Sequence, residues 1–210
     1  MGWLAADDQL PRAPGRVLVA GTSGSGKSTL ARRIADALTI PYFEIDALYH
    51  GPGWTPRPEF VSDVTAVTEE PCWVTEWQYR TVRELLADRC DLLVWLDLPR
   101  HVVMWRVIRR TLRRSISGAE LWNGNREPPL RTILSDEEHI IRWAWRTHEQ
   151  SLPRITGYLA RRPELPVVRL HGRSEVERWV RGPLAHAARR GDRITTALNL
   201  DLSLRPPPRG

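Results

Sequence analysis

The sequence predicts an α/β fold built on a parallel, five-stranded sheet, and three observations carry that prediction. Strand-like apolar runs alternate with helix-like segments along most of the 210 residues, the pattern of strands joined by helical crossovers. The run "RVLVA" leads into "GTSGSGKST" and then into the amphipathic "LARRIADAL", so a glycine-rich loop joins a strand to a helix. The chain is long enough to bury a core, and its 41% hydrophobic and 27% charged residues are ordinary for a globular protein.

Taken in order, 16–20 is the first strand and roughly 27–38 the first helix. "PYFEID" (41–46) reads as strand two and 59–70 as a helix. "CWVTEW" (72–77) is strand three, "TVRELLADR" a helix, and "DLLVWLDL" (91–98) strand four. A long helix covers about 100–114, with Val102, Trp105, Ile108, Leu112 and Ile116 recurring at spacings of three or four. Residues 115–130 carry turn signals without periodicity. A second long helix follows over about 135–160, then strand five at 165–170. The last helix opens at Ser174, with Glu177 three residues on as a capping box. In the tail, "ALNLDLSLR" alternates apolar and polar before "PPPRG", which suits either a loose terminus or an edge strand or subunit contact. The expected organisation is one domain over 1–210, with a core at about 15–187, a lid at about 115–130 and a tail at 188–210.

A net charge of +6 points to anionic partners, nucleic acid among them. The arginines are nevertheless spread along the chain, with one dense group in "RVIRRTLRR". No apolar stretch reaches the length of a membrane span, and the acidic N-terminus lacks an apolar signal core, so no membrane association or export is expected. Cys72 and Cys90 have no metal-ligand spacing and read as reduced thiols of a cytoplasmic protein.

Lys27 is the only lysine in the chain; the other basic residues are all arginine. Gly21, Gly26, Lys27 and Ser28 fit G-x-x-x-x-G-K-[ST], the phosphate-binding loop. Glycines let successive N–H groups turn toward phosphate oxygens at the positive end of the next helix. Lysine is a compact charge on a thin stem, whereas the guanidinium fork is too wide for that slot. Gly21, Thr22, Ser23, Gly24, Ser25, Gly26, Lys27, Ser28 and Thr29 are therefore the expected ATP-binding residues, with the Ser28 hydroxyl suited to Mg²⁺.

Five strands with this loop after the first resemble the adenylate-kinase-like branch of P-loop kinases, over about residues 15–180. The resemblance implies the three-layer P-loop NTPase fold with sheet order 2-3-1-4-5 and a short helical lid. The stretches "IDALYHGPGWTPRPEF", "WVTEWQY", "DLLVWLDLPR" and "RVIRRTLRR" more closely resemble the family known as DNA topology modulation proteins and adenylate-kinase-related kinases.

That resemblance makes Asp46, read as the end of strand two, the candidate general base or acceptor orienter. Strand three ends at Glu76, where a carboxylate can hold a Mg²⁺-bound water or orient the acceptor. The family more often shows Asp-Gly-Asn-Tyr there, against Glu76-Trp77-Gln78-Tyr79 here. Asp97 competes for the metal role because "LLVWLD" better fits an apolar run ending in Asp. Sheet order favours Glu76 for that role.

Arg106, Arg109, Arg110, Arg113 and Arg114 lie mostly opposite the apolar stripe, which also describes a solvated basic face. The resemblance implies that Arg106 and Arg110 neutralise the transferred phosphoryl group at the lid junction. Arg142 and Arg146 could close from the other side or pair with Glu138 and Glu149; Trp122 and Arg126 would face inward from the lid. Trp54, Arg57 and Arg80 flank the expected acceptor pocket, where an indole near an arginine suits a flat or anionic acceptor. Any of the ten tryptophans could instead simply pack in the core.

The expected activity is ATP- and Mg²⁺-dependent phosphoryl transfer to a small molecule such as a nucleoside, nucleotide or hydroxylated metabolite, by a monomer or homodimer. The alternative is a nucleic-acid-binding P-loop NTPase. A third reading is a nucleotide-sensing interaction protein that uses the tail.

Overall fold

A computed structural model of the chain describes residues 2–117, Asn125 and residues 140–191. Two strands form its centre because their sequences are apolar on both faces. These are β2 (Arg16–Gly21) and β4 (Leu92–Leu96). They pair in parallel, Val17 opposite Leu92 and Gly21 opposite Leu96. Such near-continuous apolar runs are expected where helices cover both sides of a sheet. Val17 and Val19 point to one face, with Leu30 and Ile34 of α1 (Lys27–Leu38) and Trp179 of α8 (Arg173–Trp179). Leu18 and Ala20 point to the other, with Ile45 of α2 (Ile45–Tyr49), Phe60 of α3 (Phe60–Glu69), Leu86 of α4 (Arg83–Arg89) and Ile155 of α7 (Ser151–Arg161). The two-residue period of a strand thus builds three layers.

β3 (Trp73–Glu76) flanks β2, and β5 (Val167–Leu170) flanks β4, all in parallel. The fifth strand is β1 (Trp3–Leu4), parallel to β5, giving the order β1-β5-β4-β2-β3. Two residues are too short to show an alternation, so periodicity missed β1. It is held by its tertiary setting, with Trp3 5.9 Å from Trp95 and the Arg169 guanidinium 4.7 Å from Trp95 and 5.9 Å from Trp3.

Strand two of the sequence analysis shrinks to an isolated parallel bridge between Tyr42 and Val74. The 41–43 segment still lies outside β3, in the place that the order 2-3-1-4-5 gives it. Phe43 N donates to Val74 O (2.9 Å) and Val74 N to Pro41 O (2.8 Å). Pro41 brings no N–H to the ladder, and the chain turns into α2 at Ile45. Asp46 therefore sits in the first turn of a helix rather than at a strand end.

The long helix is α5 (Arg100–Ser117), but its buried side differs from the expected stripe. Val103, Val107 and Thr111 are buried, whereas Trp105, Ile108 and Leu112 are 64%, 36% and 40% exposed. The helix is seated on the phosphate loop and on α6 (Ile140–Thr147), with Ala144 in the shared cluster. The side chains of Arg114 and Ile116 lie outside the described residues. So do Trp122, Arg126, Glu138 and the tail from 192 onward, and hence most of the expected lid.

The expected 135–160 helix is divided, because a 3₁₀ turn (His148–Gln150) separates α6 from α7. The capping box at Ser174 does not form. Gly172 is the N-cap of α8 with no side-chain cap, and Glu175 reaches back to His171 N at 2.8 Å instead. Glu177 is taken by Arg33 of α1 in a two-pronged ion pair at 3.0 and 2.9 Å. After α8 a π turn (Val180–Leu184) contains Pro183. Proline lacks the N–H that a regular helix would use there.

No helix among the described residues is long and apolar enough to cross a membrane.

Candidate functional site

β2 delivers the chain into the loop at the C-terminal edge of the sheet, and α1 starts at Lys27. Gly24 (φ 82°) and Gly26 (φ 103°) adopt left-handed backbone, which curls the N–H groups inward at little cost. Gly26 is the N-cap of α1, no side chain caps it, and no acidic residue lies in the first turn. The first N–H groups of α1 therefore stay open to an anion. Ser25 Oγ is buried with no hydrogen-bond partner among the described residues, a polar atom that a phosphate oxygen would satisfy. The loop fits a polyphosphate.

Gly24 also sets how α5 docks. A Cβ there would run into Val107 Cγ2 and approach Val103 O at 3.3 Å. Gly24→Ala is expected to cost about 1–3 kcal/mol through backbone strain and overpacking. It should also weaken nucleotide binding, read by thermal denaturation and by titration with a non-hydrolysable ATP analogue.

Lys27 is buried, and Nζ donates to Thr22 O at 3.3 Å. Burial lowers its pKa from the usual value. The Asp46 and Glu76 carboxylates push it back up, and Arg110 adds to the lowering. Both sequence-chosen acids thus act on the one lysine. Glu76, 1% exposed at the end of β3, accepts from the Tyr42 hydroxyl at 2.7 Å on Oε1 and from Ile45 N at 3.4 Å on Oε2. Burial, reinforced by Glu76, drives the Tyr42 pKa above the usual value, with the nearby Ser28 hydroxyl opposing that shift. Tyr42 thus answers electrostatically to both Ser28 and Glu76. Asp97 is engaged elsewhere: Arg169 Nε donates to its Oδ2 at 2.8 Å, and His171 Nδ1 lies 3.6 Å away.

The five arginines of α5 divide by helical position. Arg106 and Arg110 share the side of Val103 and Val107, so both reach the loop. Arg106 donates to Ser25 O at 3.0 Å and Arg110 to Ser23 Oγ at 3.4 Å. Arg109 and Arg113 are exposed. Arg142 is half-buried on α6, and Glu149 pairs with Arg100 at 2.7 Å.

A cavity of about 450 Å³ opens beside the loop, lined by Thr29 and Leu30 of α1, Leu98, Arg106, and Gly172 and Val176 at the start of α8. The Arg33–Glu177 pair closes its wall.

Of the expected acceptor-side residues, Trp54 has φ 61° and stands edge-on to His50 at 5.0 Å. Arg57 is spent within its own segment, donating to Leu48 O (3.4 Å) and pairing with Asp63 of α3 (3.0 Å). Arg80 is exposed on the turn after β3. Sequence reasoning missed Asn125, which is buried and fastens the turn before α3. Trp54 N donates to its Oδ1 and its Nδ2 donates to Gly51 O, both at 2.9 Å. Nothing in "LWNGNREPP" beyond turn chemistry marks that asparagine. It also missed Tyr42 and His50, which lie in the quoted stretches without a motif of their own, and gave Gln78 and Tyr79 no role beyond their place in the counterpart of Asp-Gly-Asn-Tyr.

No family model matches the chain. A cytidylate kinase of Nitratidesulfovibrio vulgaris is 45% identical over 49 residues, 23% of this chain and 21% of that protein. The chain thus matches about a fifth of the length of that curated relative. Among solved structures, a gluconokinase from Sinorhizobium meliloti 1021 aligns with a TM-score of 0.49 at 23% identity, covering 92% of this chain and 99% of that one. A shikimate kinase from Acinetobacter baumannii, in complex with shikimate, aligns at 0.43 and 15% identity, covering 91% and 96%. Each of these three proteins is a kinase.

Proposed function

We propose that this chain is a P-loop kinase that transfers the γ-phosphoryl group of ATP to a hydroxyl of a small molecule. One observation carries the reading. The buried Lys27 opens α1 behind an open phosphate loop, and the charges of two carboxylates, Asp46 and Glu76, both act on its ammonium. A hydrolytic switch needs the first half of that arrangement; an acid beside the γ-phosphate slot also serves an acceptor. The residues at hand fit Mg²⁺ as well. Ser28 and Glu76 are hard oxygen donors that both act on Tyr42, and Mg²⁺ with a nucleotide needs only one or two protein ligands because phosphates and water supply the rest. When bound, the ion neutralises charge between the β- and γ-phosphates.

In this reading the loop N–H groups and Lys27 hold the phosphates, and the cavity beside Leu98 and Val176 takes the nucleoside. Asp46 orients the acceptor hydroxyl and receives its proton. Arg106 and Arg110 counter charge on the moving phosphoryl group. The chain acts as one kinase domain with its lid near 115–130. The aromatic surroundings of Asp46, with the exposed Arg80 one residue beyond Tyr79, suit a flat or anionic acceptor, and nucleosides, nucleotides and hydroxylated metabolites are the classes to try. The stretches quoted for the adenylate-kinase-related and DNA topology modulation family supply much of this acceptor side.

Arg106→Gln should lower kcat about 10²-fold while changing ATP affinity little, because its charge is used most fully in the transition state. Arg113→Gln should leave kcat within a factor of about two, since Arg113 faces solvent. Steady-state kinetics on both variants reads this.

The deciding experiment measures ATP consumption against pooled nucleosides, nucleotides, sugars and aminoglycoside-like alcohols. One pool should consume ATP in step with a phosphorylated product. Turnover stimulated only by nucleic acid, with affinity falling steeply as salt rises, would establish the competing NTPase reading instead.

A further inference from the structure

Asp46 carries both of its side-chain hydrogen bonds on one oxygen. The Tyr79 hydroxyl donates to Oδ1 at 2.6 Å and Gln78 Nε2 donates to the same atom at 3.1 Å. Oδ2 accepts from no described residue. A tyrosine hydroxyl has one proton to give, and here it goes to the carboxylate. His50 Nε2 lies 3.1 Å from the same phenol oxygen, so that contact is filled by an Nε2–H donating to Tyr79.

The chain of donors is held rigidly. Tyr79 adopts φ 53°, a left-handed conformation that a bulky residue keeps only when its surroundings enforce it. Its ring stacks on Tyr49 at 3.9 Å and meets Phe60 edge-on at 5.2 Å. His50 stands edge-on to Tyr49 at 4.9 Å. Burial lowers the His50 pKa against the opposing pull of Asp46, which keeps the imidazole neutral near pH 7.

We propose that Tyr79 and His50 are positioning residues for phosphoryl transfer. Together with Gln78 they saturate Asp46 Oδ1 and so aim Oδ2 at the acceptor hydroxyl. The inference rests on the kinase reading of this site. In the transfer step the acceptor oxygen forms its bond to the γ-phosphorus and gives its proton to Asp46 Oδ2. The bond from that phosphorus to the bridging oxygen breaks, and its electron pair leaves on ADP. Tyr79 keeps its proton throughout and acts through Asp46.

The test compares Tyr79→Phe, His50→Leu and His50→Gln for kcat, KM and binding of a non-hydrolysable ATP analogue. Tyr79→Phe should lower kcat about 10²-fold, the size of loss that a misplaced catalytic group produces. His50→Leu should lower it about tenfold, and His50→Gln, whose amide restores an N–H donor, should stay within about threefold of wild type. Analogue affinity should be unchanged in all three. Equal activity of His50→Leu and His50→Gln, or a loss confined to KM, overturns the proposal. A second readout does not depend on turnover. In ¹⁵N-histidine spectra, His50 should be the Nε2–H tautomer with a proton protected from exchange, and Tyr79→Phe should abolish that protection. Identical spectra for the two proteins overturn the chain even where the kinase reading holds. Protection lost on Tyr79→Phe, in a wild type that phosphorylates none of the pooled acceptors, upholds the chain and overturns the kinase reading alone.

Discussion

Lys27→Ala is expected to abolish phosphoryl transfer, by about 10³-fold or more, and to leave the fold intact. The ammonium is the one lysine charge in the chain, and it is buried at the start of α1, where Asp46 and Glu76 both act on it. A fixed charge at the γ-phosphate in a dry slot is worth several kcal/mol in the transition state. Lys27→Arg should fare little better, because the planar fork cannot lie in a slot shaped for a thin stem. Steady-state turnover together with circular dichroism checks both variants; wild-type turnover in Lys27→Ala would falsify the assignment of the loop. Among the described residues the ammonium is hydrogen-bonded only to Thr22 O, so its removal should leave the circular dichroism spectrum unchanged.

Asp46→Asn and Glu76→Gln should each keep nucleotide binding and lose about 10²–10³-fold in kcat. Their signatures differ. Asp46→Asn retains the shape and a hydrogen bond from Tyr79, but the amide cannot accept the acceptor's proton. Glu76→Gln keeps an acceptor for the Tyr42 hydroxyl, yet removes the charge on the proposed metal side. Its loss should shrink as Mg²⁺ is raised. Asp97→Asn is the control, since that carboxylate is tied to Arg169. It should cost stability and leave the Mg²⁺ dependence unchanged. A Mg²⁺ titration of the three variants separates these outcomes. Should Asp97→Asn shift the Mg²⁺ dependence while Glu76→Gln does not, the metal-side role passes to Asp97.

The two acids also show how far a sequence reaches. Glu76 ends β3 as read. Asp46 is brought to the same lysine from the first turn of α2, although strand two ends before it. The position relative to the sheet edge was legible; the element that supplies it was not. On α5, spacing alone pointed to Trp105, Ile108 and Leu112 as the core stripe, and these are the exposed residues. Two overlapping apolar stripes run along that helix. Only its contact with Gly24 and the phosphate loop selects the one through Val103 and Val107, and that choice turns Arg106 and Arg110 toward the site.

By itself the sequence determined what is local. The loop conformation follows from glycines that alone adopt positive φ without strain, and the uncapped start of α1 follows from the residues on either side of Lys27. The central strands follow from apolar runs that can be buried only between two helical layers. Tertiary structure decided everything that depends on convergence. It joined Tyr42 to Glu76, chained His50 through Tyr79 to Asp46, and withdrew Arg57 and Asp97 into ion pairs of their own. It added β1 through two rings and a guanidinium. Hydrogen-bond partners some 30 or more residues apart leave no period in the chain, because each partner is polar for a reason found only in the other segment.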